Sequence, residues 1–301
     1  MSEIDRRTFL QLSGAGALGL ALPLSAWAEK KSAIKFPVTA SPFPLEAVRL
    51  RPSPFLDAVN ANLQYLHKIE PDRLLSNFRK HAGLEPKGKA YGGWEGDTIA
   101  GHTLGHYLSA CSLIYAQTGD AEAKKRVDYI VSELAVCQNA APDGYVAGFT
   151  RRKDKTIENG RVIFDEIKSG DIRSAGFDLN GCWVPFYNWH KLFSGLYEAQ
   201  THCGNNTALD IAKKLAGFID GVFAALNDEQ VQKMLNCEHG GINESMAELY
   251  ARTSDKRWLL LSERIRHQRT LGRCSRRPTR CRTCMRIRRY QKSSVWPGSM
   301  S

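Results

Sequence analysis

Residues 101–110 read Gly-His-Thr-Leu-Gly-His-Tyr-Leu-Ser-Ala and open the segment that decides the fold. Apolar residues recur at every third or fourth position from there to Gln117, which is the period of one face of an α-helix. Thr118-Gly119-Asp120 then supplies turn residues, and a second amphipathic run follows. The sequence therefore predicts a helical hairpin, with helices over residues 98–117 and 121–137.

The same plan recurs twice further along the chain. Helices are predicted over 187–201 and 208–223, and again over 242–252 and 257–265, with Gly/Ser-Asp/Asn turns between the members of each pair. An earlier pair is predicted over 55–66 and 71–82, where Pro71 suits the first position of a helix. Each of the three repeats has a His near the start of its first helix: His106, His190 and His239.

Repeated helical hairpins build either an open superhelix or a closed ring of inner and outer helices. The three marker His residues are unequally spaced, and residues 138–186 form a long Gly-rich insertion between two hairpins. A loop of that length is normally functional or disordered. Insertions on one face favour a ring with site loops over a regular solenoid, so we predict an all-α toroid of helical hairpins over residues 46–265.

The composition changes abruptly at Arg266. From there to Ser301 the chain has ten Arg, one Lys and no Asp or Glu, which accounts for the whole net charge of +11. One interpretation is a basic arm that binds nucleic acid or another polyanion. The other is a segment translated out of frame, because codons that fit residues 280–296 also encode sensible protein sequence in a neighbouring frame. We favour the second and predict that residues 266–301 are non-native and disordered, with no nucleic-acid binding.

The N-terminus has the pattern of an export signal. Arg6-Arg7-Thr8-Phe9-Leu10 is a twin-arginine pattern, a short apolar run follows, and Ala26-Trp27-Ala28 supplies a cleavage site. The apolar run is too short and too rich in Gly and Ala to span a membrane. We predict a signal peptide over 1–28, an extended leader over 29–45, export by the Tat translocon without stable membrane anchoring, and a periplasmic or secreted protein.

The cysteine pattern gives little indication of metal or redox chemistry in the body of the chain. No Cys-x-x-Cys spacing occurs there, so neither a zinc knuckle nor a redox motif is indicated. Export permits disulfides, but an odd number at scattered positions favours buried, small apolar residues. The five Cys concerned are Cys111, Cys137, Cys182, Cys203 and Cys237.

The richest candidate site lies around the start of the first repeat. Trp94 and Glu95 precede His102 and His106, and these two His share one helix face because they are four apart. Such a pair could bind a metal, but no Glu completes the His-Glu-x-x-His pattern. An aromatic ring against the C–H face of a sugar, with His and carboxylate groups on its hydroxyls, fits better. The alternative is that the His residues only cap or pack the helix start.

Two later stretches have a similar composition. His190 follows a run of aromatic residues, among which Trp183 and Phe186 are predicted to belong to the core. His239 lies beside a Gly-Gly pair that permits close backbone approach, and Asn243 is predicted to cap the following helix. Glu238 and Glu244 are candidate carboxylates, although a glycosidase needs two at a fixed separation. We predict substrate contacts, and no catalytic or metal role, for Trp94, Glu95, His102, His106, His190, Glu238, His239 and Asn243.

Five ordered motifs together resemble the bacterial β-L-arabinofuranosidase-like glycoside hydrolases of families 127 and 146. The motifs lie at 71–75, 91–95, 105–110, 189–191 and 238–244. The resemblance covers about residues 45–265 and implies the N-terminal part of an (α/α)6 barrel, followed in the family by β-sandwich domains. It implies hydrolysis of β-L-arabinofuranosyl units from plant glycans with retention of configuration, and His106 and His239 resemble arabinose-contacting histidines of the family.

The resemblance also implies a zinc-held Cys nucleophile with Cys and Glu ligands, and a Glu acid/base. No Cys of this chain matches those positions, so we expect the zinc ligands outside this chain and the chain to be inactive alone. Two alternatives stay open at this point. One is a toroid polysaccharide lyase using Asn243, His239 and Tyr107, and the other is a non-enzymatic protein that binds anions through the Arg-rich tail.

Overall fold

The computed structural model describes residues 43–96 and 98–269. In that part of the chain two short 3-10 helices cover Leu45–Ala47 and Gly93–Gly96. The α-helices are α1 (Pro54–Lys68), α2 (Pro71–His81), α3 (His102–Thr118), α4 (Ala121–Asn139), α5 (Val162–Lys168), α6 (Pro185–Cys203), α7 (Asn206–Ala224), α8 (Asp228–Met234), α9 (Ile242–Thr253) and α10 (Lys256–Arg264). The strands are β1 (Thr150–Lys153), β2 (Thr156–Asn159), β3 (Ser174–Ala175), β4 (Asp178–Leu179) and β5 (Cys182–Trp183).

The predicted helical hairpins are confirmed, and their ends follow from the turn residues. In each of the three repeats a residue in the left-handed conformation ends the first helix: Gly119, Gly204 and Ser254. The next residue then caps the return helix with its side chain, as Asp120 does by accepting from the N–H of Ala123 at 2.7 Å. Asn205 and Asp255 do the same. The three hairpins therefore share the residue types of their turns and caps as well as their geometry.

The hairpins pack as two rows of helices. The first helices, α3, α6 and α9, lie side by side, and the return helices α4, α7 and α10 form the second row. α3 and α6 approach very closely at Gly105, where a Cβ atom would lie 2.3 Å from the carbonyl carbon of Lys191. Because the two helices touch backbone to backbone there, their N-terminal ends meet.

The predicted all-α fold class is confirmed, because the described residues are mostly helical, but the insertion over 138–186 is an ordered part of the core rather than a loop without structure of its own. It carries the antiparallel hairpin β1–β2, helix α5 and the antiparallel sheet β3–β4–β5. Its aromatic residues Tyr145, Phe149 and Phe164 surround the fully buried Trp189 of α6, with ring centroids 4.9–6.0 Å away. Burial of each such side chain contributes about 1.5–3 kcal/mol.

A polar network holds the rest of the insertion together. Arg151 is only 3% exposed and donates to Glu166 at 2.5 Å. The same carboxylate accepts from Arg173 at 2.6 Å and from the amide of Asn180 at 2.9 Å. Burial alone would raise the pKa of Glu166, but these donors and the two guanidinium charges lower it. A buried Arg is tolerated because its carboxylate partner stays ionised.

The predicted boundary at residue 265 is close to the end of α10, but ordered contacts continue past it. Gln232 of α8 donates to the carbonyl of Arg266 and accepts from the N–H of Gln268. The ring of His267 packs edge-on against His239 at 5.6 Å. Residues 266–268 thus contact the domain, and the non-native, disordered tail over 266–301 stays a prediction. The remainder of the basic tail, the signal peptide over 1–28 and nearly all of the leader lie outside the described residues.

The five body cysteines are buried and unpaired, as predicted. Burial raises the pKa of the Cys111 and Cys137 thiols to about 11 and that of Cys237 to about 12. Each thiol is thus protonated at neutral pH and behaves as a small apolar group. Among the helices of residues 43–96 and 98–269, none has the length and apolar character needed to cross a membrane.

Candidate functional site

The N-terminal ends of α3, α6 and α9 form the candidate site together with the 3-10 turn at Gly93–Gly96. The ring of His102 lies at the centre, and the ring centroids of Trp94, His106 and Tyr187 each lie 6.1–6.2 Å from it. Gly241, which directly precedes α9, contacts His190 of α6. Residues from three separate hairpins are thus brought to one place by the alignment of the first-row helices.

Glu95 is buried and binds the backbone at the start of α3. Its carboxylate accepts from the backbone N–H groups of Gly101 at 2.7 Å and Thr103 at 3.1 Å, two donors that the helix leaves unpaired. The third partner is His102, whose Nδ1 lies 3.0 Å from Oε1. Burial alone would raise the pKa of Glu95, but the His102 contact and the two N–H groups lower it. A negative charge at a helix N-terminus is stabilised by the helix dipole.

His102 is a supporting residue in this geometry, because only 7% of its surface is exposed. Its Nδ1 also lies 3.0 Å from the carbonyl of Ile99. Burial lowers the pKa of His102, but the Glu95 carboxylate outweighs it and the net shift is upward. The interpretation that one His of this pair packs the helix start therefore describes His102. A direct sugar contact by Glu95 or His102 stays a prediction that the structure leaves untested.

His106, one turn later, is exposed. Its Nε2 lies 3.4 Å from the hydroxyl of Tyr187. Partial burial, followed by the charges of Lys191 and His102, lowers the pKa of His106. At neutral pH the imidazole is therefore uncharged, with one N–H donor and one acceptor nitrogen. This is the hydrogen-bonding capacity that a sugar hydroxyl requires.

His190 is held in one tautomer. Its Nδ1 accepts from the N–H of Gly241 at 3.0 Å, so the ring proton is on Nε2. Burial, followed by the charges of Lys191 and His106, lowers the pKa of His190 to about 4. A Cβ atom at Gly241 would lie 2.8 Å from His190 Cε1 and 3.1 Å from a Glu244 carboxylate oxygen. The glycine thus lets His190 and Glu244 approach the same backbone turn.

The remaining predicted residues are less closely grouped. Glu238 is exposed. Burial raises the pKa of Tyr187, and the nearby charge of Glu238 raises it further. His239 is turned towards Cys237 and His267: its Nδ1 lies 3.2 Å from the Cys237 carbonyl. Asn243 does not cap α9, which corrects the prediction. Gly241 is the N-cap residue, and no side chain caps this helix start.

Two tryptophans form the exposed edge of the site. The Trp94 side chain is 65% exposed, and its ring contacts Trp183 edge-on at 6.1 Å. Phe186 is fully buried, as predicted, but Trp183 is only partly buried and belongs to the site rather than to the core alone. Trp183 also lines an open cleft of about 340 Å³.

The described residues do not fit the zinc centre that the family resemblance implies. Within residues 43–96 and 98–269, no three His, Cys, Asp or Glu side chains come together as a possible metal site. The five cysteines there are buried, unpaired and distributed over separate elements. No metal chemistry is therefore assigned to this part of the chain.

Sequence reasoning did not single out Tyr187, Lys191 or Asn188 as site residues. Asn188 is completely buried and donates to the carbonyls of Ile99 and Ala100 at 2.7 and 2.9 Å, which fixes the turn before α3. The available signals were the aromatic stretch that contains His190 and, for Lys191, the family-like motif at 189–191. Their partners lie about 80 to 90 positions away in the sequence, and no local pattern reports that distance.

The lyase alternative requires Asn243, His239 and Tyr107, and the position of Tyr107 does not fit a catalytic role. Tyr107 is 3% exposed, donates to the carbonyl of Leu66 at 2.9 Å and accepts from Arg126. It supports the end of α1 and does not join His239 or Asn243. The polyanion-binding alternative depends on the tail, nearly all of which lies outside the described residues.

The fold thus defines a domain of stacked helical hairpins with one grouped site at the N-terminal ends of its first-row helices. The sequence profile of the beta-L-arabinofuranosidase GH127 catalytic domain matches residues 47–292. The chain belongs to this family. The match includes much of the basic tail, and the out-of-frame origin of that segment stays a prediction.

Two solved structures illustrate the family. A GH127 beta-L-arabinofuranosidase from Geobacillus stearothermophilus is 21% identical, with a TM-score of 0.46 over 70% of this chain and 30% of that one. A second GH127 beta-arabinofuranosidase is 20% identical, with a TM-score of 0.48 over 74% of this chain and 33% of the other. The chain thus spans about a third of the length of these structures. No curated protein matches it significantly.

Proposed function

We propose that this chain forms the sugar-contacting part of a secreted β-L-arabinofuranosidase-type glycoside hydrolase that acts on arabinose-containing plant glycans. The observation that carries the proposal is the family match over 47–292. The hairpins would form the first part of an (α/α)6 barrel, with the grouped site facing its opening.

The site residues divide into two roles under this proposal. Trp94 offers an exposed ring for the C–H face of an arabinofuranose, and the exposed His106 packs, like Trp94, against His102. Glu238 is also exposed, and its charge reaches Tyr187. Glu95 and His102 hold the start of α3, and Gly241 fixes the tautomer of His190. Neutral imidazoles suit a neutral sugar, since they can donate to one hydroxyl and accept from another.

Binding without cleavage is proposed for the chain on its own. The described thiols are buried and protonated, and the Glu95 carboxylate is committed to backbone donors. The zinc, the nucleophile and the acid/base would come from sequence encoded downstream in another frame. Export by the twin-arginine route to the periplasm or beyond completes the proposal and rests on the signal pattern at residues 6–28.

The test compares this chain with a longer protein translated after the downstream frame is restored. Both are assayed for L-arabinose release from a β-L-arabinofuranosyl disaccharide and for zinc by elemental analysis. The proposal expects zinc and L-arabinose release from the longer protein only. A folded, zinc-containing longer protein that releases no L-arabinose would contradict it. A change of His106→Ala in the longer protein should raise KM strongly, whereas Phe55→Ala, an exposed position on α1, should not.

A further inference from the structure

The β3–β4 turn presents an aromatic ring to solvent in a fixed position. Gly176 and Phe177 form a two-residue connection, with Gly176 at a φ of +58° as the first central residue. The Phe177 side chain is nevertheless 61% exposed. A single exposed apolar side chain is ordinary on a protein surface, but Phe177 lines a cleft in which its ring can contact a ligand.

The turn is anchored on both sides. The carbonyl of Phe177 accepts from the N–H of Val184 at 2.8 Å, and the carbonyl of Gly176 accepts from the N–H of Glu238 at 2.7 Å. Val184 has a φ of +42°, a left-handed conformation that is strained for a β-branched residue. It lies between Trp183, the last residue of β5, and Pro185, the first residue of α6.

Phe177 and Trp183 face the same cleft, which has a volume of about 340 Å³. Its other walls carry one basic and one acidic side chain together with a hydroxyl group. The lining residues are Thr98, Arg152, Ala175, Phe177, Asp178 and Trp183. The volume lies at the lower end of small-molecule sites. Arg152 and Asp178 contribute one formal positive and one formal negative charge, and the Asp178 carboxylate also accepts from the N–H of Gly181 at 3.1 Å. A lining without an excess of positive charge gives an anionic uronic acid no advantage over a neutral polyhydroxyl compound.

The cleft adjoins the site described above through the tryptophan pair. The Trp94 ring contacts His102 at 6.2 Å on one side and Trp183 at 6.1 Å on the other. We propose that the cleft binds a second, neutral sugar unit of the substrate, with Phe177 as the aromatic platform and Arg152 and Asp178 as hydroxyl partners. This inference rests on the proposed function and specifies it: the chain recognises an oligosaccharide rather than a single arabinose.

The test measures binding to the full chain by quenching of tryptophan fluorescence. The two probes are L-arabinose and a β-L-arabinofuranosyl disaccharide. The disaccharide should bind about ten-fold more tightly, the change expected from one aromatic contact. Phe177→Ala should remove that advantage and leave L-arabinose binding unchanged, whereas the matched control Phe55→Ala, 75% exposed on α1, should leave both affinities unchanged.

The outcomes separate the two proposals. If Phe177→Ala, with an unchanged thermal unfolding curve, keeps the disaccharide advantage, the cleft proposal is overturned and the proposed function stands. If a galacturonic acid disaccharide binds more tightly than the neutral disaccharide, the choice of a neutral sugar is overturned. If the wild-type chain binds neither arabinose probe, both proposals are overturned. Loss of both affinities in Trp94→Ala supports the division into two adjoining sites.

Discussion

At the scale of single residues, Glu95 links the fold to the site. One carboxylate serves two backbone N–H donors and His102. Glu95→Ala leaves these buried donors without a partner, which costs about 1–3 kcal/mol for such a group. We therefore expect Glu95→Ala to lower the free energy of unfolding in urea by that amount.

The variant Glu95→Gln removes the negative charge of this side chain but keeps its shape. The amide can still accept from one N–H, but it removes the carboxylate that raises the pKa of His102. A lower His102 pKa in an NMR titration, with a smaller loss of stability than in Glu95→Ala, is the expected result. Glu70→Gln, at an exposed carboxylate in a surface pair, is the matched control. An unchanged His102 pKa in Glu95→Gln would contradict the assignment.

Two partly buried histidines, His81 and His190, predict how the stability of the fold depends on pH. Burial lowers the pKa of both His81 and His190 from 6.5 to about 4. Between pH 6.5 and 4 the unfolded chain binds protons that the folded chain does not, so stability is present above that window and is lost as the pH falls through it. His81→Asn and His190→Asn, which keep a polar group near Nδ1, should each reduce the loss measured by urea unfolding at pH 7 and pH 4.5. Equal pH dependence in wild type and the double variant would refute this.

The sequence could indicate which residue types gather at the site, but not their roles. The spacing of His102 and His106 placed both on one helix face. Which of them reaches solvent depends on Glu95 and on Asn188, a residue of another hairpin that fixes the preceding turn. The difference in exposure between His102 and His106 is thus determined by tertiary contacts, which leave no pattern in the local sequence.

At the scale of elements, the close contact between α3 and α6 determines where the site forms. A Cβ atom at Gly105 would lie 2.3 Å from the backbone of Lys191. Gly105→Ala therefore forces the helices apart, and we expect a loss of about 3 kcal/mol or more in unfolding free energy, together with weaker sugar binding. Gly119→Ala is the control: its φ of +78° strains an alanine, but nothing lies within 4 Å, so about 1 kcal/mol is expected. Similar losses in both variants would contradict the packing argument.

The hairpins were predictable because their turns repeat the same chemistry. Residues at 118–120, 203–205 and 253–255 combine a left-handed residue with an Asp or Asn cap, and both signals are local. The order of residues 138–186 was not predictable in the same way. It depends on aromatic packing around Trp189 and on the Glu166 network, both of which join distant parts of the chain.

At the scale of the whole molecule, five free cysteines are an unexpected feature of a chain that has an export pattern. The thiols are unpaired, although the predicted destination is an oxidising compartment. Their raised pKa values and burial protect them once the domain has folded. A chain that folded before export would therefore keep these five thiols reduced.

This argument predicts the outcome of an export experiment. Replacement of both Arg6 and Arg7 by Lys should confine the protein to the cytoplasm, whereas the unchanged chain should appear in the periplasmic fraction, as measured by immunoblotting. In the exported protein, Cys111, Cys137, Cys182, Cys203 and Cys237 should resist a water-soluble thiol reagent until urea is added, as measured by peptide mass spectrometry. Disulfides among these five positions would show that folding follows export, because buried thiols on separate elements can pair only while the chain is open.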